Sequence, residues 1–334
     1  MWKYILVFVV LVISALIYLK LAVKYKIIDK PNERSSHTKI TVRGGGILFP
    51  LAILLFFILN NFQYPYFVVG VLLLASVSFL DDIYTLSAKI RFPFQLISVS
   101  LILVEIGVPF VPIWAFLFFL VFGVGIVNMF NFMDGINGIT GMYCLSVLSG
   151  YFLINTNEAL VNPDLLIYVA LSIAVFGYYN FRKKALFFAG DIGSIVLGVL
   201  IFFIGFLFTY KLQSPLMLLI IVVYGADATC TLLYRKLFTK ERIFDAHRHH
   251  IYQKLVDYCG FSHLSVSLYY AIIQIGVNFI ILKSYKLALM NQLIVFSTGG
   301  TFAAAICFTS VCTGNELRIG QGQSETSRTF GTKK

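Results

Sequence analysis

The stretch "IWAFLFFLVFGVGIVNMFNFMDGINGITGMYCLSVLSGYFLI", residues 113–154, places a polar cluster between two long apolar runs. Each run approaches the ~20 residues that an α-helix needs to cross a hydrocarbon core about 30 Å thick. Similar apolar runs recur along the whole chain. The stretch therefore predicts two membrane helices joined by a polar segment, which the helices do not need for their own structure.

The composition is typical of a helical membrane protein. Of the 334 residues, 59% are hydrophobic and 12% are charged, about half the charged share of a soluble domain. We place helices near residues 3–23, 44–60, 65–80, 92–107, 110–127, 137–155, 163–180, 191–210, 214–234, 264–283 and 289–312. Residues 1–312 are thus predicted to form one integral membrane domain, followed by a polar tail, 313–334, that is expected to be disordered.

Positive charge lies mainly on one side of this predicted topology. The loops 24–43, 81–91, 128–136, 181–190 and 235–263, with the tail after residue 312, carry 21 of the 26 Lys and Arg residues, against four in the opposite loops. The positive-inside rule makes the first side cytoplasmic and the N-terminus external. The formal net charge of +11 then indicates contact with anionic membrane lipids and anionic substrates rather than with nucleic acid.

Two adjacent acids, Asp81 and Asp82, end the third predicted helix on the cytoplasmic side. A carboxylate is costly inside a bilayer, so acids in membrane helices usually have a function. At a helix end the cost mostly vanishes, and a solvated interfacial stop is an equally good interpretation. If the pair is functional, it can accept a proton or hold a cation. Lys89 and Arg91 follow closely and are candidates for contact with phosphate oxygens.

Three polar side chains in the opening stretch, Asn128, Asn131 and Asp134, are spaced three residues apart. If the fifth helix continues for another turn, this spacing places all three on one face. An Asn- and Gly-rich turn is the simpler alternative. The helical register and the glycines that follow favour a binding site.

Asp191, in "GDIGS", stands at the start of the eighth predicted helix. The aspartate alone is explained by helix capping. Capping does not explain the glycines Gly193 and Gly198, which would admit a ligand or a neighbouring helix to the backbone. An acid at an open helix start can hold Mg²⁺ and phosphate together.

The long cytoplasmic connection contains "HRHH", with His247, His249 and His250. Histidines beside an arginine suit an anionic pocket, because they donate hydrogen bonds and can carry positive charge. A zinc site is the alternative, although no second Cys/His pair stands at ligand spacing. The basic segment "DKPNERSSHTKITVRGGGI" (residues 29–47) includes Arg43 and is read either as a phosphate-contacting loop or as a membrane-surface segment.

Two function classes fit a set of polar motifs gathered on one side of a membrane. The first is an enzyme that joins a soluble diphosphate donor to a lipid phosphate, with Mg²⁺ and basic groups offsetting the negative charge. The second is a multi-helix transporter of an anionic solute. Transport sites lie near the bilayer midplane, often within inverted repeats. Motifs at helix ends and the lack of a convincing repeat favour the enzyme.

Five motifs, in order, resemble those of the polyprenyl-phosphate N-acetylhexosamine-1-phosphate transferase superfamily, of glycosyltransferase family 4 type. They are "DKPNERSSHTKITVRGGGI", "LDDIYTLSAKIRFPFQ", "NMFNFMDGINGITG", "GDIGSIVLG" and "HRHH", and they cover nearly the whole chain. The superfamily includes the initiating enzymes of bacterial O-antigen, capsule and teichoic acid synthesis. The third motif is most similar to this surface-polysaccharide branch. Asn137 departs from the pattern, since many bacterial members have a second aspartate there.

The resemblance implies an all-α polytopic membrane protein of ten to eleven transmembrane helices with a cytoplasmic active-site cleft in the inner membrane. It implies transfer of a sugar-1-phosphate from a UDP-sugar to undecaprenyl phosphate, with release of UMP. The implied cofactor is Mg²⁺, with Mn²⁺ as an alternative. Direct attack and a covalent aspartyl intermediate stay open, as does the oligomeric state, for which a homodimer is one option.

The resemblance also assigns roles to the candidate residues. The implied catalytic pair is Asp81 and Asp82, and the implied metal ligands are Asn131 and Asp191. The candidate substrate-binding residues, from the resemblance and from charge, are Arg43, Lys89, Asn128, Asp134, His247, His249 and His250.

Overall fold

The protein is described from a computed structural model that covers residues 2–29, 40–239 and 248–299. The helices are α1 (Trp2–Lys24), α2 (Leu48–Leu59), α3 (Pro65–Tyr84), α4 (Ala88–Ile106), α5 (Ile113–Met133), α6 (Ile139–Glu158), α7 (Pro163–Asn180), α8 (Gly190–Leu212), α9 (Val222–Phe238), α10 (Ile251–Asp257) and α11 (His263–Ser284). Two 3₁₀ turns, Gly45–Ile47 and Pro215–Ile221, precede α2 and α9. A two-residue strand, β1 (Ile28–Asp29), pairs antiparallel with β2 (Thr41–Val42).

The all-α membrane fold is confirmed. Within the described residues, seven helical segments are long and apolar enough to span a bilayer: Trp2–Lys24, Pro65–Tyr84, Ile113–Met133, Ile139–Glu158, Gly190–Leu212, Pro215–Phe238 and His263–Ser284. The total of ten to eleven spans stays a prediction. Residues 289–299 are helical, as predicted, but the rest of the predicted last helix and the tail, 313–334, lie outside the described residues.

One boundary and one additional helix differ from the predictions for a physical reason. The predicted fifth helix ends at residue 127, but α5 continues to Met133. Its extra turns bury Met129, Phe130 and Met133, so packing continues where the polar residues on the other positions suggested a loop. The short helix α10 was not predicted, because its seven residues hold too little apolar pattern to be distinguished from the surrounding loop.

Helix α8 is the centre of the bundle. Nearly all its residues from Ile192 to Phe208 are buried, mainly against α3 and α5. Close packing rather than the hydrophobic effect holds helices together inside a bilayer, and small residues allow it. A Cβ on Gly198 would lie 3.0 Å from Phe130 Cβ. Gly198 therefore allows a neighbouring helix to pack against the backbone. This is one of its two predicted roles, the other being access for a ligand.

The glycine-rich segment before α2 lies directly on the segment before α8. The N–H of Gly45 donates to the carbonyl of Phe188 at 2.8 Å, and the N–H of Gly46 donates to the carbonyl of Ala189 at 3.0 Å. A Cβ on Gly46 would stand 2.2 Å from Gly193 Cα, so the two backbones meet without side chains between them. This contact brings Arg43, three residues earlier, to the start of α8.

Candidate active site

Two arginines and three aspartates from separate elements form one ion-pair network. Arg43 reaches Asp82 Oδ1 through Nε at 2.7 Å and Asp191 Oδ1 through Nη2 at 3.1 Å. Arg91 Nη1 lies 2.8 Å from Asp81 Oδ2 and 2.9 Å from Asp191 Oδ2. Asp191 is thus the shared member, held between two guanidinium groups. The structure brings together the predicted residues of three motifs that are distant along the chain.

Asp82 is the buried anchor of this network. Its side chain is fully buried and accepts the N–H of Asp191 at 2.9 Å and the N–H of Ile192 at 3.2 Å. It therefore caps the N-terminus of α8 from another helix, and the left-handed Gly190 gives it room, since a Cβ there would lie 2.5 Å from Asp82 Oδ2. The catalytic role predicted for Asp82 stays a prediction, whereas its contacts give it a structural one.

We expect Asp82→Ala to lower the stability of the folded protein by about 3 kcal/mol, because it leaves the N–H groups of Asp191 and Ile192 without their acceptor and removes the partner of Arg43 Nε. The measurement is the thermal unfolding midpoint in detergent. Glu105→Ala is the matched control, since Glu105 accepts two N–H groups, of Tyr66 and Phe67, at the more exposed start of α3. An equal decrease of the unfolding midpoint in both variants would contradict a special anchoring role for Asp82.

A cavity of about 300 Å³ opens beside the network. It is lined by Asp29, Arg43, Asn131, Asp134, Gly135, Ile136, Asn137, Asn180, Phe188, Ala189, Gly190, Asp191, Ser194, Arg248, Gln253 and His263. The lining is mostly polar and combines carboxylates, amides and two arginines. Such a surface suits a small ligand that carries both hydroxyl and anionic groups.

Three predicted site residues line the cavity from the end of α5 and the start of α8. Asn131 donates to Ser194 Oγ at 3.2 Å and stands beside Asp191. Asp134 ends α5 and accepts the hydroxyl of Thr140 at 2.6 Å. Burial raises the pKa of Asp134 to about 6, so this carboxyl changes its protonation state close to neutral pH.

Asn128 does not line the cavity, although it shares the predicted spacing. Its amide exchanges two hydrogen bonds with Gln95, at 3.0 and 3.2 Å, which join α4 to α5. Asn137 likewise has a structural contact, since its amide donates to the carbonyl of Arg182 at 2.9 Å. Of the three residues at this spacing, Asn131 and Asp134 therefore line the cavity, whereas Asn128 contacts another helix.

Lys89 is exposed at the start of α4 and is not part of the network in the described structure. Arg91, two residues further, makes the contacts with Asp81 and Asp191 instead. Residues two apart in a helix point to nearly opposite sides, so only one of these cations can face the site.

The histidine motif is only partly visible, because His247 lies outside the described residues. His249 is half-buried, with its ring 6.1 Å from the ring of Tyr234. His250 is buried, and its Nδ1 lies 3.0 Å from Asp227 Oδ1. Neither ring belongs to the lining of the cavity as described. Their predicted substrate-binding roles stay predictions.

Several cavity residues were not singled out from the sequence: Asp29, Asn180, Arg248, Gln253 and His263. Of these, Asp29 and Arg248 carried a signal, as the first residue of "DKPNERSSHTKITVRGGGI" and as the arginine within "HRHH". The buried carboxylate of Asp227, inside an apolar run, was also missed. An acid within a predicted span is a sufficient reason to suspect a role.

Protein groups supply only part of the ligand set that a divalent cation would need in the cavity. No group of three or more His, Cys, Asp or Glu side chains in the described residues could hold a metal by itself. Asn131 and Asp191 both line the cavity and offer amide and carboxylate oxygens. Mg²⁺ is usually held by one or two carboxylates together with substrate phosphates and water. The donor set therefore fits Mg²⁺ that is completed by a phosphorylated substrate.

Comparison with known proteins gave two matches. The family described as glycosyl transferase family 4 matches residues 64–209, which include Asp81, Asn131 and Asp191. A probable undecaprenyl-phosphate N-acetylglucosaminyl 1-phosphate transferase of Bacillus subtilis (strain 168) is 29% identical over 299 residues, which are 82% of each chain. From the motifs, the membrane fold and these two matches, we conclude that the chain is similar to glycosyl transferase family 4 over residues 64–209.

Proposed function

We propose that the protein transfers a sugar-1-phosphate of N-acetylhexosamine type from a UDP-sugar to undecaprenyl phosphate, with release of UMP. This reaction would be the initiating step of a cell-surface polysaccharide. The name of the Bacillus subtilis relative supports the acceptor and the type of sugar. The polar cavity at the helix ends supports a soluble donor that meets a lipid acceptor.

The observation that carries the proposal is the double arginine contact of Asp191. Arg43 and Arg91 converge on one carboxylate at the edge of the cavity, at 3.1 and 2.9 Å. Arginine forks bind phosphate oxygens as they bind carboxylates. In addition, the buried Nε of Arg91 has no acceptor among the described residues. A donor left free in this way is suited to an oxygen of a bound phosphate.

Different side chains of the protein would have different roles in this reaction. Arg43 and Arg91 would bind phosphate oxygens and offset the charge of two phosphorylated substrates. Asp81, which Arg91 contacts, is the candidate to orient the attacking lipid phosphate or to accept its proton. Asn131 and Asp191 would hold Mg²⁺, or Mn²⁺, which supplies charge neutralisation to the diphosphate.

The distribution of charge supports a site at the cytoplasmic face of the inner membrane, with the N-terminus outside. The loops that carry Arg43, Arg91 and Arg248 are on the side that holds 21 of the 26 Lys and Arg residues. A UDP-sugar is a cytoplasmic metabolite class, so donor and site would be on the same side.

The test is product analysis with detergent-purified protein. We expect release of UMP from a UDP-N-acetylhexosamine only when polyprenyl phosphate and Mg²⁺ are both present, and we expect EDTA to abolish it. A panel of UDP-sugars then identifies the donor. Release of UDP would indicate a glycosyl transfer instead, and transmembrane uptake of solute without any nucleotide product would favour the transporter.

A further inference from the structure

Asp227 is a fully buried carboxylate within the apolar segment Pro215–Phe238. A buried ion is tolerated only when hydrogen bonds replace its hydration. Asp227 receives such bonds on both oxygens. Its partners are His250 Nδ1 at 3.0 Å, the N–H of Ile251 at 3.1 Å, the N–H of Tyr252 at 3.2 Å, Thr231 Oγ1 at 3.2 Å and the hydroxyl of Tyr270 at 2.5 Å.

Three of these partners are consecutive residues at the start of α10. Asp227 therefore caps this short helix from the neighbouring α9, while Tyr270 adds a contact from α11. Tyr252 extends the connection to α5, because its hydroxyl donates to the carbonyl of Phe132 at 3.1 Å. The same hydroxyl leaves no room for a Cβ on Gly135, which would lie 2.2 Å away.

The segment fixed in this way supplies one wall of the cavity. Arg248 and Gln253 flank the capped residues, and both line the cavity. Gln253 Oε1 also accepts the N–H of His250 at 3.3 Å, which closes the turn. Arg43 and Asp191 line the same cavity. The cavity therefore offers an anionic ligand two arginines, Arg43 and Arg248.

We propose that Asp227 is a positioning residue, and that His250 acts through its Nδ1 contact with Asp227 to hold Arg248 and Gln253 against the bound sugar nucleotide. The kinetic part of this inference rests on the proposed function. His250 touches Asp227 rather than the ligand, so its role differs from the direct substrate contact predicted from the motif. We expect the acceptor lipid to bind independently of this wall.

Two substitutions of His250 separate positioning from direct contact. In His250→Asn the amide nitrogen takes the place of Nδ1, so the bond to Asp227 is kept and Nε2 is lost. In His250→Gln the amide extends to the place of Nε2, and the bond to Asp227 is lost. If His250 positions this wall of the cavity, the Asn variant keeps the hydrogen exchange and the KM for the UDP-sugar close to the wild-type values. The Gln variant changes both.

Each variant is characterised by hydrogen exchange and by the KM values for both substrates. Hydrogen exchange of the amides of Ile251 and Tyr252 reports the cap directly, without any substrate. We expect Asp227→Ala and His250→Gln to accelerate it about tenfold or more, since bonds to a buried charge are lost. We also expect the KM for the UDP-sugar to rise about tenfold, as one charged contact is misplaced, while the KM for polyprenyl phosphate stays unchanged.

Glu158→Gln is the matched control. It removes a carboxylate that pairs with the exposed Lys286 at 2.8 Å and belongs neither to the cap nor to the cavity lining. Because exposed ion pairs contribute little, we expect neither faster exchange nor a shifted KM. If Asp227→Ala does not fold, Asp227→Asn and the two His250 variants carry the test.

The inference is overturned if His250→Gln behaves as the wild type while His250→Asn loses activity, because His250 would then contact the substrate through Nε2. It is also overturned if loss of the Asp227 carboxylate changes neither exchange nor the KM for the donor. Failure of the wild type to release UMP would reject the proposed function alone, since the exchange data decide the positioning independently.

Discussion

We expect Asp191→Asn to lower the rate of UMP release by about a thousandfold or more, since the carboxylate serves both the metal and the two arginines. The amide cannot pair with Arg43 and Arg91, which the carboxylate holds at 3.1 and 2.9 Å. The capping of α8 is unaffected, because Asp82 accepts the N–H groups at the helix start. The measurement is turnover with saturating donor and acceptor.

Asp164→Asn is the control for this variant. Asp164 stands in the first turn of α7, as Asp191 stands in the first turn of α8, and it pairs with Lys3 and Tyr4. We expect its turnover to remain at the wild-type rate. Wild-type turnover of Asp191→Asn would reject the metal and phosphate roles of Asp191. An equal loss of turnover in both variants would indicate misfolding, which the elution profile in detergent detects.

The sequence was sufficient for the class of fold, whereas the side of the membrane on which the site lies stays a prediction. The length of an apolar run is a local property of one helix, and the Lys/Arg asymmetry is a sum over loops. Neither depends on how the helices pack. The motifs also predicted that Arg43, Asp191 and Asn131 lie on the same side of the membrane. Their convergence at one cavity is what the structure adds.

Individual contacts were less predictable, because they depend on helix faces and on partners far along the chain. The pair Asp81 and Asp82 looks equivalent in the sequence, yet adjacent residues on a helix point about 100° apart. One of them contacts Arg91, and the other caps α8. The role of Asp227 needed the position of α10, which no periodic pattern indicates.

The assembly of the site also depends on a contact between two backbones. A methyl group at Gly46 would lie 2.2 Å from Gly193 Cα and 2.7 Å from the carbonyl oxygen of Ala189. Neither atom belongs to a side chain that could turn away. We therefore expect Gly46→Ala to shift the segment that carries Arg43. Overpacking of this kind costs about 1–3 kcal/mol, and a displacement of ~1 Å at a reacting centre can lower turnover about a hundredfold.

Gly125→Ala is the matched substitution, since a Cβ on this α5 glycine meets nothing within 4 Å. Alanine also favours a helix over glycine by up to about 1 kcal/mol, so we expect an equal or higher unfolding midpoint and unchanged turnover. Full turnover of Gly46→Ala would mean that Arg43 does not need its present distance from Asp191. A lower midpoint with full turnover would restrict the role of this contact to stability. Loss of turnover with a nearly unchanged midpoint would show that the glycine pair is needed chiefly for the geometry of Arg43 at the active site.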